Sequence, residues 1–319
     1  MTDKVLLPKT DLRVSRLCLG SNMFGTALDQ GRVDAVLNRF VALGGNFIDT
    51  ARSYGDWIPG APAGASERAI GVWLKTQRRQ DVVVATKGGF FDLRVGDYRS
   101  RANPADVAKD LAESLEHLQV DAIDLYWLHA DDPSVPVGEL IDALIAEQSA
   151  GKIRAFGASN WSPERLVEAQ AYAAGKGHAG FAAFQPFWGL ATPNAEAAAA
   201  QGYGRYYDAA FADVDLPVIP YAGQSRGVFS KLADGGEAGL PEGLAAMYLN
   251  DANRARLPRV QAKAKALGAS VNAVVLAWLI NQSRLTIPII GASRPDQLDD
   301  AFSALSLNLS AEAVAELAA

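Results

Sequence analysis

The 319 residues carry 30 Lys and Arg against 36 Asp and Glu, a net charge of -6 without a dense basic block, so no nucleic-acid surface is expected. At 49% hydrophobic and 21% charged, the chain has ample apolar surface to bury, which excludes disorder as its main state. The single cysteine, Cys18, excludes a disulfide framework and any thiolate metal cage built within the chain.

The first twelve residues hold Asp3, Lys4, Lys9 and Asp11 and no continuous apolar run, so they do not read as a secretory signal, and a cytoplasmic protein is expected. Strand patterns and helix patterns then alternate. A strand over 14–20 leads to a helix over 32–43, a strand over 46–50 to a helix over 66–76, and a strand over 82–86 to a helix capped by Asn103 with Pro104 at its first position. Strands over 123–128 and 154–158 follow, separated by a helix over 137–150, and Ser162-Pro163 starts the next helix. The last strands are expected over 181–185, 217–221 and 286–290, with a helix over 257–267 before the final one. Residues 266–283 read as one buried helix; Ser270, Asn272, Asn281 and Gln282 make a membrane span too costly, so no membrane is expected. Eight strands with intervening helices and no linker splitting the chain predict a single (β/α)8 TIM barrel domain over 1–319, with its active site at the C-terminal mouth of the strands. Residues 194–213 and 225–253 do not fit the count and read as elaborated loops.

Four ionisable groups fall at or just after strand ends: Asp49, Tyr54, Lys87 and His129. Hydride reduction of a carbonyl builds an alkoxide that must be protonated, and a positioned phenol can supply the proton. An ammonium, Lys87, would lower the pKa of Tyr54 from its ordinary value near ~10, Asp49 would keep that ammonium charged, and His129 could aim the carbonyl oxygen.

The segments Phe47-Ile48-Asp49-Thr50-Ala51-Arg52-Ser53-Tyr54-Gly55, Thr86-Lys87 and Asp124-Leu125-Tyr126-Trp127-Leu128-His129 resemble the three catalytic motifs of the aldo-keto reductase family, over about residues 12–302. The resemblance implies NADP(H) as cofactor, bound without a Rossmann fold. Ser159, Asn160 and Gln185 would hold the nicotinamide carboxamide, and Tyr221 would stack on its ring. Gln224, Ser225, Arg226 and Gly227 would wrap the pyrophosphate, and Gly291, Ser293, Arg294 and Gln297 would form the adenosine end, where a helix start beside Arg294 suits a 2′-phosphate. Asp300-Ala301 departs from the Asn found there in many relatives and weakens the expected adenine contact.

Competing motifs fail on context. Residues 175–180 match GxGxxG but follow a helix and precede a strand, the reverse of a dinucleotide turn. Residues 223–227 match the GxSxG nucleophile elbow, but His117, His129 and His178 all precede Ser225. Three scattered histidines predict no metal site. The expected partner is a small-molecule carbonyl substrate, with Met23, Trp57 and Trp188 as substrate contacts and Phe24, Phe91 and Tyr206 nearby; nothing in the chain sets its oligomeric state. Arg52 and Arg94 leave an acidic substrate open, and a non-catalytic NADP-binding regulatory or redox-sensing subunit is the alternative to an enzyme.

Overall fold

The computed structural model describes residues 4–319. A short antiparallel hairpin, β1 (Val5–Leu6) and β2 (Arg13–Val14), precedes the parallel strands β3 (Cys18–Gly20), β4 (Phe47–Asp49), β5 (Val83–Gly88), β6 (Ile123–Leu128), β7 (Ile153–Ser159), β8 (Phe184–Gln185) and β9 (Ile289–Gly291). The parallel sheet runs in the order β8-β7-β6-β5-β4-β3-β9. Val218 closes it into a (β/α)8 barrel, since it bridges Phe184 on one side and Thr286 on the other.

Two expected strands are therefore corrected. The run 14–20 splits: Val14 belongs to the hairpin and only Cys18–Gly20 to the barrel. The run 217–221 shrinks to isolated bridges because Pro217 and Pro220 have no N–H to give to a ladder.

Alternation sorts each stave into an inner and an outer face. Cys18, Phe47, Val83, Ala85, Leu125, Trp127, Ala155, Ile219 and Ile287 form the core inside the barrel, with Leu7, Leu12 and Val14 of the hairpin region packed against it. Leu19, Ile48, Val84, Tyr126, Leu128, Phe156 and Ala158 face outward to the helices. Burying each large side chain stabilises by about 1.5–3 kcal/mol.

The helices start where their caps stand. Asn103 accepts the Asp106 N–H at 3.0 Å ahead of the helix Pro104–Leu118, which buries Val107, Leu111 and Leu118. Ser162 caps Pro163–Gly175 in the same way. The expected helix over 266–283 is two helices: Asp251–Leu267 ends at Gly268 with φ +61°, and Ser270 caps Val271–Ile280. The two axes bend by 96°, and among the described residues no single helix is long and apolar enough to cross a membrane. The segments 194–213 and 225–253 carry short helices of their own, Ala195–Ala200, Val228–Gly235 and Glu242–Tyr248.

Candidate active site

The inner face continues past the apolar core to the barrel mouth, and polar residues replace apolar ones there at the same period. Phe47 is followed by Asp49, Ala85 by Lys87, Trp127 by His129, Ala183 by Gln185 and Ile219 by Tyr221. All five of these polar residues except Lys87 line one cleft of about 970 Å³, together with Tyr54 from the turn after β4; Lys87 lies directly beneath Tyr54.

Lys87 Nζ donates to Asp49 Oδ2 at 2.5 Å, to the Thr50 carbonyl at 2.7 Å and to Tyr54 Oη at 3.0 Å. Asp49 Oδ1 accepts from Trp127 Nε1 at 3.1 Å and Gln185 Nε2 at 3.0 Å. Asp49 and Lys87 are each 1% exposed, so the pair is sealed beneath the phenol. The ammonium also lies 4.7 Å from the centre of the Tyr54 ring.

Electrostatics follow from that burial. The Tyr54 phenol is pushed above its ordinary range by burial, against which the Lys87 charge pulls down. The expectation that Lys87 sets the net direction is thus corrected: desolvation outweighs the cation. Burial raises Asp49 against the pull of Lys87, whereas the charges and hydrogen bonds of Asp49 and Tyr54 hold the Lys87 ammonium above its ordinary value in spite of burial. His129 is held well below its ordinary range, first by burial and then by Lys87. Its imidazole is neutral at pH 7.

The groups matched to a nicotinamide are assembled beside the tetrad. Ser159 Oγ donates to the Gln185 carbonyl at 2.9 Å, and Asn160 Nδ2 donates to the His129 carbonyl at 3.0 Å. Tyr221 Oη donates to Asn160 Oδ1 at 2.7 Å. Phe187 and Tyr203 lie 5.6 and 6.1 Å from the Tyr221 ring and 4.7 Å from each other, a triangle that puts both on one side of it. Tyr221 and Tyr203 both line the cleft. Asn160, Ala222, Ser225 and Arg226 hold φ between +47° and +60°, strain of about 1–3 kcal/mol each that clusters at this groove.

Gln224, Arg226, Gly227, Gly291, Ser293 and Gln297 line the far end of the cleft. Gln224 ties the two walls together, accepting from the Gly291 N–H at 2.8 Å and donating to Asn272, which donates to Asp300. Ser225 is 1% exposed and lies outside the lining. Arg294 lies outside the lining, in a bidentate pair with Asp296 at 3.0 Å.

Of the expected substrate contacts, Met23 lines the cleft and Trp57 stands at its edge, 46% exposed, with its ring centre 6.0 Å from that of Tyr54. Trp188 is a correction: it packs between Tyr207 and Trp278 in the outer core, because the inward parity of Gln185 passes to Phe187 and turns Trp188 away. Phe24 is buried as well, and the Tyr206 hydroxyl is spent on the Gly189 carbonyl. Arg52 is engaged by Asp56 and Glu113, and Arg94 by Asp56, so neither is free for an acidic substrate.

Several residues were missed in the sequence. Trp127 anchors Asp49, and the period-two spacing from His129 could have found it. Phe90 lines the cleft and stacks on His129, while Asn22, Lys231 and Asn272 join the lining; no motif marks them.

A closed parallel barrel thus gathers a buried acid, ammonium, phenol and imidazole at the C-terminal mouth of its strands, where barrel enzymes carry their active sites. The Aldo/keto reductase family model matches residues 16–319. The uncharacterized oxidoreductase YrpG of Bacillus subtilis (strain 168) is 31% identical over 96% of this chain and 92% of its own. Aryl-alcohol dehydrogenase GME11368 of Pestalotiopsis microspora is 28% identical over 98% and 80%. In structure, the thermostable aldo-keto reductase Tm1743, solved with the inhibitor epalrestat, superposes with a TM-score of 0.72 at 22% identity, over 99% of this chain and 98% of that one. The chain belongs to the aldo/keto reductase family.

Members of this family bind a nicotinamide cofactor and act on small carbonyl compounds. The residues present fit such a group: a flat ring face at Tyr221, amides and a hydroxyl at Asn160, Gln185 and Ser159, and an open groove at Gly291, where a Cβ would meet nothing within 4 Å.

Proposed function

We propose that the protein reduces an aldehyde or ketone to an alcohol with NADPH, using Tyr54 as the general acid. One observation carries this reading. An ammonium has three N–H groups, and Lys87 directs them at Asp49, Thr50 and Tyr54. The Tyr54 oxygen is therefore an acceptor toward Lys87, and its own proton is left to point at the cleft. A carbonyl oxygen placed there receives that proton as it gains negative charge. The phenolate that results sits 3.0 Å from a fixed cation, which steadies it until solvent returns the proton.

Ser159, Asn160, Gln185 and Tyr221 would hold the nicotinamide, and Gln224, Arg226, Gly227 and Gly291 the diphosphate. Bound NADPH supplies the hydride to the carbonyl carbon. His129 is neutral, and its Nδ1 is buried with no acceptor near it, so its single N–H belongs on Nε2 as a donor to the carbonyl oxygen. Arg294 beside the helix Pro295–Ser303 supports a 2′-phosphate and hence NADPH over NADH.

The test follows NADPH absorbance with 4-nitrobenzaldehyde, a choice supported by the aryl-alcohol dehydrogenase among the relatives. Wild type should turn over and Tyr54→Phe should lose roughly three or more orders of magnitude in kcat while keeping NADPH affinity. Wild type and variant equally inert, both binding NADPH tightly, would overturn this reading in favour of a regulatory subunit.

A further inference from the structure

The three histidines are held in three different ways. His117 Nδ1 bonds Glu67 at 2.8 Å. His178 uses both ring nitrogens, with Gln148 at 3.0 Å and the Gly180 N–H at 3.0 Å. His129 has a pinned backbone, its N–H on the Gly88 carbonyl and its carbonyl accepting from Asn160, yet among the described residues no side-chain hydrogen bond fixes its ring, and its buried Nδ1 has no partner. A general-acid site needs that ring aimed within a narrow angle. Something other than hydrogen bonding must aim it.

Phe90 does lie against it. The two rings are stacked, centre to centre 4.3 Å with planes 29° apart, while Tyr54 meets the imidazole only edge-on at 6.1 Å. Phe90 is itself held from behind: Arg101 Nη1 donates to the Phe90 carbonyl at 3.2 Å, the preceding Gly89 N–H donates to Asp110 at 2.9 Å, and Asp110 grips Arg101 at 2.6 and 3.0 Å. Gly89 holds φ +77°, which lets the chain turn at that point and bring the ring over the imidazole.

We propose that Phe90 is the positioning residue of His129: its ring, anchored through Arg101 and Asp110, fixes the imidazole plane in place of the missing hydrogen bond at Nδ1. The proposal rests on the reductase reading for its kinetic arm and stands apart from it in its spectroscopic arm. Phe90→Leu and Phe90→Met remove the stack while keeping an apolar side chain, and Phe90→Tyr restores a ring. Expected for the first two is a fall in kcat of about tenfold, with KM for 4-nitrobenzaldehyde and affinity for NADPH within about twofold of wild type, and recovery in Phe90→Tyr. Independently of turnover, nitrogen NMR of the imidazole, assigned with His129→Gln, should show one fixed neutral tautomer in wild type and Phe90→Tyr. In the ringless variants the two nitrogen shifts should move toward each other. If the ringless variants raise KM alone, or leave the His129 nitrogen shifts unchanged, Phe90 is a pocket wall only and the proposal falls. A wild type without turnover but with shifts that respond to Phe90→Met would overturn the reductase reading and leave the positioning role standing.

Discussion

Lys87 is a cation at 1% exposure, which burial alone would forbid, and Asp49 compensates it at 2.5 Å. Removing one partner of such a pair costs about 3–5 kcal/mol, because the other is left charged and dry. Lys87→Met should therefore lose reduction by several orders of magnitude and also unfold at lower urea. Adding Asp49→Asn should restore most of the urea midpoint and none of the activity. A double variant as unstable as the single one would show that Lys87 contributes packing rather than charge. The pKa directions fix the pH response. Tyr54 is raised, so the acid stays protonated below about pH 10, and kcat/KM for reduction should be flat from about pH 7 to 10 and fall only above that as the phenol ionises. His129 is lowered, so the folded state releases a proton that the unfolded chain retains. The stability that its neutral form brings is complete above about pH 6.5 and lost as pH falls from there toward its folded value. Thermal midpoints between pH 7 and 4.5 should fall more steeply for wild type than for His129→Gln. Asp49, Tyr54, Lys87 and His129 were legible in the sequence because chemistry at a strand end is a local signal. Phe90 was not, since what marks it is a neighbour in space, the imidazole stacked on it; Trp127 carried only its period-two spacing from His129, and the carboxylate it bonds comes from another strand.

At the scale of the element, strand periodicity was readable wherever hydrogen bonding is unbroken. Ile123–Leu128 coincides with the expected run, and Val83–Gly88 starts one residue later than the expected 82–86 and runs on through Lys87 and Gly88. It failed where proline cuts the ladder, at 217–221, and where a hydrophobic average concealed a corner, at Gly268 between two helices bent by 96°. Trp188 failed for the same local reason, lying one position past an inward residue. On β7 the constraint is steric. A Cβ on Gly157 would stand 2.6 Å from the Ala183 carbonyl oxygen and against the Trp127 ring, both inside the barrel. Overpacking of this kind costs about 1–3 kcal/mol. Gly157→Ala should lose that much by denaturant unfolding, and because Trp127 Nε1 holds Asp49, it should also lower kcat several-fold without weakening NADPH binding. Unchanged stability would mean that the strand can shift at no cost, and that the tight contact places nothing.

The whole molecule gathers one residue from each of several distant staves into a single cleft, and its net charge of -6 then bears on the anionic cofactor we propose. Asp296 and Asp300 line the far end, a repulsive pair for any phosphate, while Arg226 and Lys231 line the same groove and Arg294, outside the lining itself, follows the lining residue Ser293 and pairs with Asp296. Arg294 is held by Asp296 in a bidentate pair that is open to water, with side-chain exposures of 61% and 67%. Water screens such a pair, so exchanging the carboxylate for a doubly charged phosphate on the same guanidinium is favourable. The 2′-phosphate is the only group by which NADPH differs from NADH, and Arg294 should carry the distinction alone. Arg294→Ala should weaken NADPH roughly tenfold and leave NADH within about twofold, measured by quenching of protein fluorescence. Asp296→Asn should act in the opposite sense, tightening NADPH several-fold by freeing the guanidinium and removing a like charge. Both effects should shrink at 0.5 M salt, where the screening length is only a few ångströms. Equal loss of both cofactors in Arg294→Ala would assign the arginine to the shared part of the nucleotide, and the preference would then have to come from Arg226 and Lys231 along the groove.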